Sequence, residues 1–262
     1  PRPGLFVPAG SLCKRELVRF LRQRHRIIGA LLTPVVFWLL LGGGIGTSFQ
    51  SSSLGGKNYI SYFFPGTVLM ILLFTAIFST ISVIEDRREG FLQSVLVAPV
   101  SRMAIVLGKV LGATFLAVGQ GVVFLLLAPT VGVHFTVESF VLLLAITTIV
   151  AFALSSLGFC IAWRMTSTQG FHAIMNLFLL PLWFLSGALF PASSARGGLG
   201  WVMRLNPLSY GLDGIRTTLY LGQPGANLDY LFVCFVISIA SAAALFLAAW
   251  WIARRTVEVN LH

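Results

Sequence analysis

Long apolar stretches alternate with short polar ones along this chain. Apolar runs cover Ile27–Gly46, Ile60–Ile84, Ala104–Ala128, Val137–Trp163, Phe171–Phe190 and Leu228–Ile252. Each reaches the length of about 20 residues that a helix needs to cross roughly 30 Å of hydrocarbon. They are far too long for barrel strands, and a chain in lipid must satisfy its backbone internally, so the pattern predicts helices. The expected fold is an all-α polytopic membrane protein with six transmembrane helices.

Local signals refine each element. From Pro8 to Arg26, Leu12, Leu17, Val18, Phe20 and Leu21 interleave with Lys14, Arg15, Arg19 and Arg22. That predicts an N-terminal interfacial helix, apolar side toward the acyl boundary and basic side toward headgroups. Residues 1–26 thus form a cytoplasmic amphipathic segment ahead of a six-span domain, 27–262. Pro34 is expected either to kink the first span or to be absorbed near its first turns. Gly42 and Gly46 near its end either admit close helix packing or unwind the helix, and Gly108 and Gly112 repeat the same small-residue spacing in the third span. Thr75, Ser79, Thr80 and Ser82 give the second span a polar seam, whose hydroxyls are expected to bond back to their own backbone. Gln120 reads as the one strongly polar interior residue of the third span. Thr136 is placed to cap the fourth span, with Glu138 in its first turn. After the fifth span, Gly197–Leu205 and Leu208–Leu221 are each too short to cross; they predict two short helices at the outer surface, split by Asn206 and Pro207.

The stretch from Ile84 to Pro99 breaks the rhythm most sharply. Glu85, Asp86, Arg87, Arg88 and Glu89 form a dense charged knot at the end of an apolar run, which must lie at a membrane face. Phe91, Leu92, Val95 and Leu96 then share one side of a short helix. The pattern predicts a surface element between two spans, shaped to be gripped from the cytosol.

Composition agrees with the membrane reading: 57% of residues are hydrophobic, 10% are charged, and mean hydropathy is +0.91. The net charge of +10 does not point to nucleic acid, because of where it falls. Of the 18 basic residues, all but Lys57, Arg196, Arg204 and Arg216 lie in segments that alternate with those four. That asymmetry follows the positive-inside rule and puts both chain ends in the cytoplasm, with anionic lipid headgroups as counter-charge. Cys13, Cys160 and Cys234 and the scattered histidines show no metal-ligand or disulfide spacing. No cleavable leader is expected, and residues preceding Pro1 are. There is no phosphate-binding G-x-x-x-x-G-K loop, no nucleophilic serine elbow and no carboxylate in the middle of a span. Without buried ionisable groups at the midplane, ion coupling is disfavoured. Energy for uphill transport would then arrive from another polypeptide.

Several stretches resemble the membrane subunits of ABC-2 type exporters. They are Glu85-Asp86-Arg87-Arg88-Glu89-Gly90 followed by Leu96-Val97-Ala98-Pro99-Val100-Ser101-Arg102, then Leu185-Ser186-Gly187-Ala188-Leu189-Phe190-Pro191, Leu205-Asn206-Pro207-Leu208-Ser209-Tyr210 and Gly214-Ile215-Arg216. The resemblance implies a homodimer in a prokaryotic plasma (inner) membrane, paired with two cytoplasmic ATP-binding subunits that hold ATP and Mg; this chain itself would bind no cofactor and no metal. It implies that the N-terminal helix and the helix after the second span contact the ATPase. Glu85, Asp86, Arg87, Arg88, Glu89, Phe91, Leu92 and Leu96 would be the coupling residues. It also implies re-entrant outer helices after the fifth span, and a central path lined by the first and fifth spans, with Thr33, Phe37, Asn176 and Phe184 as candidates. Gln93 departs from the pattern, standing where many relatives carry an acid.

The expected activity is therefore outward movement of an amphiphile: a drug, a lipid-like metabolite or a lipid-linked glycan. The alternatives are a polysaccharide or O-antigen-type exporter subunit, and a membrane scaffold that transports nothing. No catalytic cluster supports an enzyme acting on lipid.

Overall fold

The computed structural model describes residues 4–45, 58–190, 198–222 and 227–255, and every element it contains is helical. In order these are α1 (Phe6–Arg22), α2 (Arg24–Ile45), α3 (Tyr59–Ser79), α4 (Ile81–Arg88), α5 (Phe91–Val97), α6 (Arg102–Leu125), α7 (Val137–Ala162), α8 (Thr168–Phe184), α9 (Gly198–Leu205), α10 (Pro207–Leu219) and α11 (Leu228–Arg255). A single 3₁₀ turn, Ala128–Val131, follows α6.

The bundle is built around α3. In its most apolar window 89% of residues are buried, against 17% for α2 and 22% for α11. Phe63, Phe64, Val68, Leu69, Ile71, Leu72, Leu73, Ala76 and Ile77 are wholly buried, pointing in every direction from the helix axis. A helix apolar all round must be enclosed all round; α2, α6, α7, α8 and α10 do that. By contrast α2 and α11 leave wide apolar faces open, including Leu32, Val36 and Leu40 on α2 and Phe232, Val236, Ile239 and Leu247 on α11.

Among the described residues, five helices are long and apolar enough to cross a membrane: α2, the continuous run Tyr59–Arg88, α6, α7 and α11. The stretch read as the fifth span folds as α8, whose 17 residues rise only about 26 Å. It stops at Phe184 rather than Phe190 because the chain turns at Gly187, which takes a positive φ of 89° that other residues rarely adopt. Likewise α6 ends at Leu125, three residues before the expected Ala128. Asn206 divides α9 from α10 as expected, its side chain accepting from the Leu208 amide at 3.0 Å and donating to the Leu182 carbonyl at 2.9 Å. Thr136 caps α7, with Ser139 completing the reciprocal pair. Gly46 and most of the loop expected from Gln50 to Tyr59 lie outside the described residues.

Close backbone approaches hold the helices in register. A Cβ on Gly42 would stand 2.7 Å from the Ile60 side chain, so the glycine seats α2 on the start of α3. Beside it, Trp38 donates to the Ile60 carbonyl at 3.1 Å and packs edge-on against Phe64 and Phe124. At the same end, Tyr62 and Arg216 both donate to the Gly187 carbonyl, at 3.1 and 3.3 Å, and Tyr59 reaches the Leu189 carbonyl at 3.2 Å. Arg216 also bonds Asp213 at 3.1 Å, whose carboxyl burial pushes above its ordinary range.

Gly66 is the tightest contact of α3 with the turn after α8. An added Cβ would lie 2.9 Å from the Ala188 Cβ and 3.0 Å from its carbonyl oxygen. Replacing Gly66 by Val is expected to destabilise the protein by about 1–3 kcal/mol, the usual cost of overpacking. Thermal unfolding in detergent reads this as a lowered midpoint. Gly119→Ala, in the interior of α6 at a site with nothing within 4 Å, holds or raises the midpoint, as the better helix former.

Candidate functional site

The charged stretch after α3 is not a simple exposed knot. At Thr80 the α3 helix is interrupted and α4 begins, turning Asp86 inward until it has no exposed surface. Arg15 holds its carboxylate in a bidentate pair at 2.7 and 2.8 Å, and Arg19 adds a third bond at 2.9 Å. Lys109, itself buried, donates to the same carboxylate, to Glu16 at 2.5 Å and to Ser82 at 3.3 Å. Arg19 bridges onward to Glu85 at 3.0 Å and Glu89 at 3.1 Å. Seven ionisable side chains, from α1, α6 and α4 with its C-cap Glu89, thus form one network.

The sequence arranges this with helical spacing. Ala9, Leu12, Cys13, Glu16 and Phe20 fall on one face of α1 and are buried. That face rests on Gly108 and Gly112 of α6, where added Cβ atoms would come within 2.7 Å of the Ala9 carbonyl and the Glu16 Cβ respectively. The small-residue pair in α6 therefore receives α1, and Lys109 rises between the two glycines to meet Glu16. Arg15 and Arg19, one turn apart, line the adjacent face toward α4. The Asp86 bond raises the pKa of the Arg15 guanidinium, and burial beside Glu16 raises that of the Cys13 thiol. Only Phe6, Val7, Val18 and Leu21 leave large apolar side chains of α1 exposed. The buried face of α1 thus belongs to α6, not to lipid as its pattern suggested.

On the other side of α4, Arg87 donates to the backbone carbonyls of Trp163 and Met165, the latter at 3.0 Å, and its guanidinium stands 5.5 Å over the Trp163 ring. Arg88 donates to the Thr166 carbonyl at 3.0 Å. Trp163 is the C-cap of α7, so Arg87 satisfies an acceptor at the negative end of that helix, while Met165 and Thr166 lie in the turn that leads into α8. Ser167 then caps α8 by accepting from the Gly170 amide. Between the two anchorages lies α5, reached through Gly90 at φ 76°. Phe91 lies under the Arg15 guanidinium, 3.6 Å from ring centroid to Cζ. Leu92 is buried and Phe91, Val95 and Leu96 are half-buried, so the apolar side of α5 faces the bundle while Gln93, Ser94 and Val97 face out.

A second feature lies along α2, α3 and α8. A cavity of about 380 Å³ is lined by Phe20, Thr33, Met70, Phe74, Thr75, Phe78, Ser79 and His172, among others. Of the four path candidates only Thr33 lines it. Phe37, Asn176 and Phe184 are exposed on the open faces of α2 and α8. The polar seam of α3 behaves in two ways. Ser79 and Thr80 bond back to carbonyls of their own helix, as expected, whereas Thr75 donates to Gln120 at 2.5 Å and Ser82 accepts from Lys109.

The profile of the family described as ABC-2 type transporter matches residues 9–220, from within α1 to just past α10. The chain belongs to the ABC-2 type transporter family. The match takes in the whole charged network. As an ABC-2 permease it is similar to the putative transport permease ycf38 of Cyanophora paradoxa, with 29% identity over 221 residues, 81% of this chain and 72% of that protein. It is also similar to nodulation protein J of Rhizobium leguminosarum bv. viciae, 29% identical over 228 residues (82% of this chain, 85% of that one). The Rhizobium meliloti protein of the same name is 29% identical over 224 residues, with shares of 82% and 84%. Members of this family are multi-pass membrane proteins that work with ATP-binding cassette subunits.

Lys109, Glu16, Arg15 and Arg19 did not stand out in the sequence as site residues. The available signal was that Lys109 is the one charge inside the third apolar run and Glu16 the one acid in the basic N-terminal segment. A substitution tests their partnership. Lys109→Met leaves two carboxylates under-compensated in the interior and is expected to cost about 3–5 kcal/mol. Adding Glu16→Gln to it restores part of that loss. Denaturation midpoints of the two single variants and the double variant read the coupling; strict additivity contradicts a direct pair.

Proposed function

We propose that this permease is the membrane half of an ATP-driven exporter, with the charged end of the bundle in the cytoplasm of a prokaryotic cell. Two copies pair with two ABC ATP-binding subunits. In this reading each copy crosses the membrane six times, α8 together with the turn after it serving as the fifth crossing and α9–α10 forming the outer re-entrant pair. The ATPase presses on α5, at the outward residues Gln93, Ser94 and Val97, and α4 carries the push.

The observation that carries the proposal is the double anchorage of α4. Asp86 ties it to α1 and α6, and Arg87 and Arg88 tie it to the carbonyls leading into α8. A displacement of α5 therefore reaches α8 through hydrogen bonds rather than through loosely packed side chains. The open apolar faces of α2 and α8 then meet the second copy, and Thr33, Phe37, Asn176 and Phe184 lie along the seam. Alternation at that seam opens and closes the path.

The substrate follows from the cavity walls. Met70, Phe74 and Phe78 offer apolar surface, while Thr33, Thr75, Ser79 and His172 offer a few hydrogen-bonding groups and no carboxylate, lysine or arginine lines the wall. Such a lining suits an amphiphile with an uncharged polar part, of which a lipid-linked glycan is one instance. A stacked aromatic path for a long polysaccharide is less well supported. At the opposite end, Tyr59, Tyr62 and Tyr220 turn their hydroxyls to backbone carbonyls and brace the fold.

Co-purification with an ABC ATPase and substrate-stimulated ATP hydrolysis in proteoliposomes test the assignment. The double variant Arg87→Ala, Arg88→Ala is expected to insert normally and to lower stimulation about tenfold or more, since each lost charge-assisted bond is worth about 1.5–3 kcal/mol. Full stimulation in that variant rejects the route through α4; failure of any ATPase to associate rejects the proposal as a whole.

A further inference from the structure

A second cavity, of about 220 Å³, lies on the other flank of the bundle and shares no lining residue with the first. Ala153 and Leu157 of α7, Leu182 of α8, Pro207 at the α9–α10 joint, and Ser238 and Leu245 of α11 are among its walls. Ala153 and Ser238 are buried, Leu157, Leu182 and Leu245 are half-buried and Pro207 is exposed, so the cavity opens sideways. Its α11 wall, Ser238, Ser241 and Leu245, is the helix face turned toward α7 and α10, whereas Val236 and Leu247 point to the far side of α11.

One polar group in these walls is unaccounted for. Ser238 is 2% exposed, and its hydroxyl has no hydrogen-bond partner among the described residues. Buried helical hydroxyls elsewhere in the bundle, at Thr67, Ser79, Thr114 and Ser156, all bond the carbonyl four residues back. The other polar side chains of the cavity are occupied: Ser241 donates to the Ser238 carbonyl at 2.9 Å and Asn206 bridges Leu182 and Leu208. An isolated water would find too few partners here, since it needs about 2–4.

We propose that this cavity binds the apolar part of a neutral amphiphile that carries one hydroxyl or carbonyl group, seated on Ser238. Depth excludes a phospholipid headgroup. Ser238 lies ten residues into α11, which starts at Leu228, so it sits about 15 Å along the helix, near the centre of a hydrocarbon layer roughly 30 Å thick. Charge is disfavoured there and a single uncharged hydrogen bond is not. Size sets the other limit. The volume exceeds the roughly 150 Å³ that admits benzene in an apolar protein cavity, which is enough for a ring or a short length of chain but not for a whole lipid. Bound there, the ligand wedges α7 and α11 against the α9–α10 joint, away from the α2–α3–α8 cavity, so the site stands whether or not the export reading does.

The test uses the full-length permease in vesicles of phosphatidylethanolamine and phosphatidylglycerol, with a photoactivatable long-chain primary alcohol as probe. Labelling is expected to concentrate on α7 around Ala153 and on α11 between Ser238 and Leu245, and to be competed by excess unlabelled alcohol. Ser238→Ala is a mild change and is expected to weaken labelling about threefold to tenfold, the worth of one neutral hydrogen bond. Ala153→Phe fills the cavity and abolishes labelling. Native mass spectrometry then separates the sources. A lipid retained by the wild type and lost in Ala153→Phe marks a resident lipid, whereas a wild type that arrives empty yet labels marks an amphiphile that visits from outside. Labelling spread evenly over Phe232, Val236 and Leu247, without competition and indifferent to Ser238→Ala, overturns the proposal, as does the absence of any labelling.

Discussion

A fully buried carboxylate at the end of a long apolar helix is the constraint from which much of this structure follows. Asp86 cannot be ionised in that position without compensating charge, because the penalty for removing a carboxylate from water amounts to several kcal/mol even after relaxation. Arg15, Arg19 and Lys109 supply it, two from α1 and one from α6. Meeting that requirement fixes where α1 must lie, and α1 can lie there only because Gly108 and Gly112 leave α6 bare beneath it. Once Asp86 faces α1, the helical spacing sends Arg87 to the opposite side, toward the end of α7. The N-terminal helix is thereby joined to the turn before α8 through a single helical turn of α4.

The bundle pairs this stiff end with a looser flank. Around α3 the packing is dense and apolar, and charge-assisted hydrogen bonds tie α4 to its neighbours. Along α2 and α8 it is thin: wide apolar faces stand open, and the 380 Å³ cavity separates parts of the helices from one another. Movement imposed on the charged end is therefore taken up least within α1, α4 and α6 and most where α2 and α8 meet whatever covers them. The breaks at Thr80 and Gly90 bound α4, the segment that in the proposed reading carries the push from α5, and Pro34 and Pro181 lie within α2 and α8. The proposed mechanism uses both properties, a firm hold at the charged end and compliance along α2 and α8.

Much of this was legible in the chain itself. The helical character of the apolar runs, five of which fold among the described residues as helices long enough to cross a membrane, the cap at Thr136 and the joint at Asn206–Pro207 all rest on local periodicity or on single residues with strong conformational preferences. What escaped was whatever depended on contacts between distant segments. Glu16 and Lys109 are 93 positions apart, and nothing local announces that one answers the other. The apolar pattern of α1 suits a lipid surface as well as a protein one, and only the glycines of α6 decide between them. The same holds for α5, whose apolar side turned out to be an anchor into the bundle, leaving Gln93, Ser94 and Val97 as the surface on offer. His172 looked like one scattered histidine among four, and became part of a cavity wall only once α8 was laid beside α3.

Distances across the charged end put the central claim to its most direct test. Spin labels placed at Lys14 on α1 and Arg164 on the α7–α8 turn, both exposed, can be measured by double electron–electron resonance in a cysteine-free background. The complex with its ATPase is compared with and without ATP. If Asp86 and Arg87 bind these elements into one body, the distribution keeps the same mean and width in both states, and Asp86→Ala broadens it. A mean that shifts on addition of ATP in the otherwise unaltered protein would show that α1 and the start of α8 move independently, and would contradict the account.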